Sequence, residues 1–221
     1  IFLRHAVKQK KIGLSSEELD ALLVYLMIGT VVGARLFEVI FYNPSYYLAN
    51  PLKIFAVWEG GLSFHGGLLG VFLATYLFCK KKNYSFFKLA DLIVIPAAFA
   101  LALGRLGNFM NGELYGRVTS LPWGMQFSGA EGFRHPSQLY ESAKNLLIAG
   151  ILLWQSKKGK KEGYLFGLFL LLYGVLRFLV EFVREPQVFV GPLTMGQTLS
   201  VPVILLGIYL IKKKGKNKHE T

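Results

Sequence analysis

The chain has 221 residues, 53% of them hydrophobic with 18 phenylalanines, and the apolar residues gather in long blocks. Such blocks exclude an ordinary soluble domain and indicate a polytopic membrane protein. The single cysteine, Cys79, excludes a disulfide framework and any multi-cysteine metal site, and neither metal nor cofactor is expected. The net charge of +12 sits in lysine runs beside apolar segments, without the aromatic interleaving of a nucleic-acid groove, so it reports topology and no nucleic-acid partner.

In chain order, "IFLRHAVKQKK" reads as the end of an earlier apolar segment, and the first span follows at 21–42, with Arg35 and Glu38 toward its far end. The second, 64–79, opens on "FHGG", which sets His65 beside two glycines, and closes at Cys79 and a lysine run. The third, 86–111, runs from "DLIVIPAAFALAL" into "GRLGNFMNGELYGR" (104–117), an abrupt change from hydrocarbon to arginine, asparagine, glutamate and glycine. The remaining spans are 139–155, 163–184 and 194–211. A crossing helix needs ~20 residues at ~1.5 Å each, so six spans fit this stretch, the second and fourth being short. No segment repeats another and no linker interrupts them. The fold expected is an all-α integral membrane protein, a polytopic helical bundle in which 1–221 form a single transmembrane domain.

The connections alternate in charge. Residues 1–20, 80–88, 156–162 and 212–221 together hold seventeen Lys and Arg, against three in 43–63, 112–138 and 185–193. Basic loops stay in the cytoplasm, so the latter three are expected outside. Arg35, Glu38, His65, Arg105, Arg177, Glu181 and Arg184 then collect in the outer leaflet. Ionisable groups at that depth are costly and face an interior cavity.

Arg105 and Asn108 share a helix face, and Tyr173, Arg177, Glu181 and Arg184 follow helical spacing as one stripe. Arginine grips a phosphate through two parallel hydrogen bonds, although Arg177, Glu181 and Arg184 equally read as neutralising one another. Arg105 has no acid at helical spacing upstream, and Glu113 is the nearest candidate. Gly104, Gly107, Gly112 and Gly116 suit either close backbone approach or helix packing. His65 can exchange a proton near neutral pH. In "RHPSQLYE" (134–141), Pro136 suits a helix start, and Ser137 lacks the partners of a nucleophile. An enzyme, a transporter or flippase for anionic lipids, and a lipid-binding scaffold all need arginines here. The lack of repeats and the clustering in one leaflet favour the enzyme.

"SFHGG" (63–67), "GRLGNFMNGELYGR", "RHPSQLYE", "YGVLRFLVEFVREP" (173–186) and "MGQTLSVP" (195–202), in this order, resemble the bacterial phosphatidylglycerol:prolipoprotein diacylglyceryl transferase family. The resemblance covers about 20–211 and implies seven spans, one of them ahead of residue 1. It implies transfer of a diacylglyceryl group from phosphatidylglycerol to the lipobox cysteine in the signal peptide of a preprolipoprotein. The product is a thioether and glycerol 1-phosphate leaves, the first step of lipoprotein maturation in the bacterial cytoplasmic (inner) membrane. By the same resemblance Arg105 and Arg177 bind the phosphate, with Asn108 and Gly116 in the lipid site, and His65, Glu113 and Tyr173 are functional. His65 is the first choice as thiol base and Glu113 the second. Arg35, Glu181, Arg184 and His135 are supporting residues, Glu181 orienting an arginine.

The charge asymmetry has a direct check. In a Cys79-free background, a cysteine introduced at Ser128 is expected to react with a membrane-impermeant reagent applied outside, and one at Ser156 is not. Labelling at Ser156 alone would reverse the orientation.

Overall fold

The computed structural model describes residues 14–185 and 189–214, so the expected remnant at 1–11 lies outside them. Each of the six expected spans contains a helix. Helix α1 (Ser16–Phe37) continues into a wider π turn, Glu38–Tyr42. A short α2 (Pro44–Ala49) and two 3-10 turns, Pro51–Phe55 and Val57–Glu59, follow. Then come α3 (Phe64–Lys82), α4 (Phe86–Met110), α5 (Ser137–Ser156), α6 (Tyr164–Val180) and α7 (Met195–Lys214). The residues that start these helices are legible. Ser15 accepts from the Glu18 N–H at 3.1 Å while the Glu18 carboxylate accepts from the Ser15 N–H at 2.9 Å, a reciprocal cap. Ser63 caps α3 by accepting from the Gly66 N–H, and Asn83 ends it in the left-handed region at φ 55°.

Among the described residues, three helices are long and apolar enough to cross a membrane: Ser16–Tyr42, Phe86–Met110 and Met195–Lys213. Tyr164–Val180 is apolar but shorter. Helix α5 falls short because the first half of its buried face is polar. The only strands named among the described residues are the two-residue pair β1 (Phe189–Val190) and β2 (Leu193–Thr194), antiparallel with Phe189 opposite Thr194.

One expectation needs correction. Within the span expected over 163–184, α6 stops at Val180, so Arg184 is not on the helical stripe of Tyr173 and Arg177. The backbone there is drawn off into pairing with the 112–135 loop: Arg117 N–H donates to the Val183 carbonyl at 2.9 Å, and Gly116 and Arg184 form an antiparallel bridge. The connection 43–63 carries short helical turns, for a reason given below.

Packing divides the described residues into two units, one up to Leu89 and one from Ala90 onward. In the first, α1 and α3 meet along glycines. A Cβ on Gly29 would lie 2.6 Å from the Ala74 Cβ, and one on Gly33 would lie 2.8 Å from the Gly70 Cα. Small residues let backbones approach where lipid gives no hydrophobic drive. Leu19, Leu22 and Phe78 are buried in this unit, with Tyr25 edge-on to Phe78.

In the second unit Val94, Ile95 and Ala98 of α4 and Ile148, Ala149 and Leu152 of α5 form the core, against which Phe166, Phe169 and Leu172 of α6 pack. Asp91 ties α4 to the start of α6 by accepting from the Gly163 and Phe166 N–H groups, both at 2.7 Å. These are donors that a helix N-terminus otherwise leaves unpaired. Helices α6 and α7 pack through Gly167, Gly174 and Gly207.

A side chain at Gly70 would overlap the Gly29 carbonyl, whereas one at Gly150 on α5 meets nothing within 4 Å. Gly70→Ala is expected to cost about 1–3 kcal/mol through overpacking. Gly150→Ala is expected to cost nothing, since alanine favours a helix. Thermal unfolding in detergent compares the two.

Candidate anion-binding site

The second unit's site is built on one face of α5. Ser137, Gln138, Glu141, Ser142, Lys144 and Asn145 are buried there, ahead of the apolar Ile148, Ala149 and Leu152. Ser142 donates to the Ala102 carbonyl of α4 at 3.0 Å, which fixes the helix against its neighbour. Glu141 is 1% exposed and meets three arginines. Its Oε2 faces Arg105 Nε at 2.8 Å; its Oε1 faces Arg177 Nη1 at 3.5 Å and is in close contact with Arg184 Nη1.

Glu181, also buried, caps α6. It contacts Arg177 Nη1 closely and lies 3.5 Å from Arg184 Nε. Thr194 Oγ1 donates to its Oε1 at 3.1 Å, and Gly196 leaves room for its carboxylate: a Cβ there would fall 2.6 Å from that group. The start of α7 thus seats Glu181, as negative charge at a helix N-terminus favours. Two buried acids hold three arginines that no regular helix face would bring together.

From Arg105 the network runs outward. Its Nη1 lies 3.5 Å from Asn108 Oδ1; Asn108 Nδ2 donates to Glu113 Oε1 at 2.8 Å, and Asn111 Nδ2 does so at 3.4 Å. Glu113 is exposed. Its backbone is held from α5, because Gln138 Nε2 donates to the Glu113 carbonyl at 2.7 Å and Ser137 Oγ to the Leu114 carbonyl at 3.1 Å. Leu114 sits at φ 57°, a strained position for a branched side chain, which these two bonds sustain. Gly116 has a packing reason to be glycine. It pairs with Arg184 and donates to the His135 carbonyl at 2.8 Å, and a Cβ would overlap the Val183 carbonyl.

Among the other expected residues, Tyr173 stacks on Phe169 and turns its ring toward Lys144, whose Nζ lies 4.1 Å from the ring centre. His135 Nδ1 is 3.3 Å from the Tyr140 hydroxyl, which accepts from Trp123 Nε1 at 2.8 Å. His65 and Arg35 belong to the first unit. His65 is exposed in the first turn of α3, its ring 6.5 Å from that of Phe37.

Arg35 is 5% exposed and spends its donors on backbone. Nε donates to Ile54, Nη1 to Gly60 and Gly61, and Nη2 to Lys53 and Ala56, at 2.5–3.0 Å. Tyr47 stacks beneath it. Arg35 therefore folds the 43–63 segment around its guanidinium and organises a loop. Among the described residues, no group of three or more His, Cys, Asp or Glu is placed to hold a metal ion.

Glu141 is the residue whose role sequence reasoning missed: the expected acid for Arg105 was Glu113, which reaches it only through Asn108. The usable signal was the polar face of "SQLYESAKN", where 137, 138, 141, 142 and 145 share one side of a helix.

Apolar helices of spanning length indicate a helical membrane protein, and the guanidinium groups held by buried acids are its candidate anion site. A sequence profile of the prolipoprotein diacylglyceryl transferase family matches residues 1–212, and the chain belongs to that family. It is similar to the phosphatidylglycerol–prolipoprotein diacylglyceryl transferase of Polynucleobacter asymbioticus, 50% identical over 214 residues, covering 94% of this chain and 82% of the relative. The enzyme of that name from Geobacter sulfurreducens is 48% identical over 93% of this chain and 82% of its own length. That of Bordetella parapertussis is 50% identical over 86% and 75% respectively.

Glu141→Gln would leave three cations short of a buried partner, and a loss of about 3–5 kcal/mol of stability is expected. Glu113→Gln, at an exposed position, is expected to stay within about 0.5 kcal/mol of the parent. Denaturation in detergent checks both.

Proposed function

We propose that the chain transfers the diacylglyceryl group of phosphatidylglycerol to the lipobox cysteine thiol of preprolipoproteins, releasing glycerol 1-phosphate. The observation that carries this reading is the pairing of Arg105 and Arg177 on the buried Glu141 carboxylate in a chain of this family. On this reading the six helices cross the bacterial cytoplasmic membrane as one domain, with 43–63, 112–138 and 185–193 outside and the site reachable from the outer leaflet. Membrane lipid and a signal peptide are then both within reach. The family membership also weighs against a transporter of anionic lipids.

The thiolate attacks the glyceryl carbon; an S–C bond forms, the C–O bond to phosphate breaks, and the thiol proton passes to a base. Arg105 and Arg177 hold the phosphate. Arg177 meets both carboxylates through Nη1 and Arg105 meets Glu141 through Nε, so each guanidinium has further N–H groups to offer. Glu141 and Glu181 fix these arginines before substrate arrives, so that little reorganisation accompanies the reaction. Asn108 and Gly116 shape the lipid site, Tyr173 adds an aromatic wall, Arg184 and His135 support the outer edge, and Arg35 holds the loop of the first unit. His65 is the first candidate for the thiol base, since a free thiol is mostly protonated at neutral pH. Glu113 is the second.

Purified protein given phosphatidylglycerol and a lipobox peptide is expected to add a diacylglyceryl mass to the peptide, read by mass spectrometry. Arg105→Lys and Arg177→Lys are each expected to lower turnover about 10²-fold, because lysine lacks the planar fork. Near-normal rates in both would make these arginines structural counter-ions. His65→Gln and Glu113→Gln separate by their rate–pH profiles: the variant that has lost the base loses the acidic limb. Retention of that limb by both would exclude both as bases.

A further inference from the structure

Lys144 is the one buried cation of this cluster that the proposed reaction does not yet use. It is 6% exposed on α5, one turn beyond Glu141. Its Nζ donates to Asn145 Oδ1 at 3.3 Å and lies over the Tyr173 ring. An aromatic face attracts an ammonium group. Glu141, Arg105, Arg177 and Arg184 are the charged groups close enough to act on it.

The charges do not cancel. Among the described residues, Arg105, Arg177, Arg184 and Lys144 have Glu141 and Glu181 as their neighbouring carboxylates, a surplus of two positive charges, of which Lys144 supplies one. Glu113 stands at the exposed rim and reaches Arg105 only through Asn108. Cations withdrawn from water are normally matched; the arginines are part-buried and Lys144 is buried, so this surplus calls for an anion.

The transfer reaction changes that anion's charge. A thiolate and a phosphodiester each carry one negative charge; the products are a neutral thioether and a phosphate monoester that approaches two negative charges at neutral pH. Three arginines and two acids already match the diester. The second charge develops only as the C–O bond breaks. Groups that favour the transition state over the bound substrate raise turnover rather than affinity.

We propose that Lys144 is a fourth cation of the anion site, acting through its charge to stabilise the departing glycerol phosphate. This rests on the transferase reading. Lys144 is a positioning residue for charge, set beneath the arginines rather than clamping the lipid.

The test uses the full chain in phosphatidylglycerol-containing micelles with a lipobox peptide. Lys144→Met, neutral and of similar length, is expected to leave KM for phosphatidylglycerol within about twofold while kcat falls about tenfold or more. Inhibition by added glycerol 1-phosphate is expected to weaken by a similar factor, and Lys144→Arg to recover most of both. A Lys144→Met protein with parental kcat and parental product inhibition would overturn the proposal. So would equal losses in Met and Arg variants accompanied by a lower unfolding temperature, which would mark a packing residue. Thermal shift by glycerol 1-phosphate provides a readout independent of turnover. If the parent transfers nothing, the reaction reading fails; a smaller ligand-induced shift in Lys144→Met than in the parent still supports Lys144 as an anion residue, and an equal shift refutes it.

Discussion

One buried carboxylate organises the second unit. Glu141, on the first turns of α5, touches arginines from α4, from α6 and from the turn after α6. A carboxylate so enclosed is tolerated only when several donors compensate its lost hydration, and guanidinium groups in a membrane need acids for the same reason. Each therefore requires the other. The polar half of α5, the glycine at 116 and the seat for Glu181 at the start of α7 all serve to complete this arrangement. The two carboxylates hold the arginines in place, which is the condition for electrostatic preorganisation.

Among the described residues, Arg35 is buried and Arg105 and Arg177 are part-buried, and their partners differ in kind. Arg35 distributes its N–H groups over five backbone carbonyls, so its positive charge is used to fold a loop. Arg105 and Arg177 meet carboxylates through one nitrogen each and keep others to spare. Different partners thus accompany different chemistry: a guanidinium saturated by carbonyls has nothing left for a phosphate, whereas one propped by an acid does. The same contrast holds for glycine. Gly29, Gly33, Gly66 and Gly70 are small because backbones cross there, Gly196 is small because a carboxylate sits against it, and Gly104 and Gly107 meet nothing within 4 Å.

The loop after α4 shows how a reactive edge is carried by a rigid element. Glu113 is exposed, yet its backbone is pinned by Gln138 and its neighbour Leu114 by Ser137, both from the buried face of α5. The left-handed backbone at Leu114 is the local strain this support sustains. Family membership and this geometry converge on phosphoryl-linked group transfer. The arginines gather around Glu141 and Glu181, and the exposed Glu113 joins the same network through Asn108.

Apolar runs and their basic flanks were legible in the sequence because hydropathy adds up along the chain and needs no partner. A helix lies within each of those runs, and Arg105 and Asn108 share a face because helical spacing alone puts them there. The pairing of charges was not legible. Glu141 belongs to Arg105 only because α4 and α5 pack together, with Ser142 bonded to the Ala102 carbonyl. Arg184 leaves the helical stripe because the 112–135 loop captures its backbone, and Lys144 meets Tyr173 only through the packing of α5 on α6. Helix formation depends on neighbours a few residues away, so sequence determines it. The partner of a buried charge depends on which helices come into contact, and only the tertiary structure decides that.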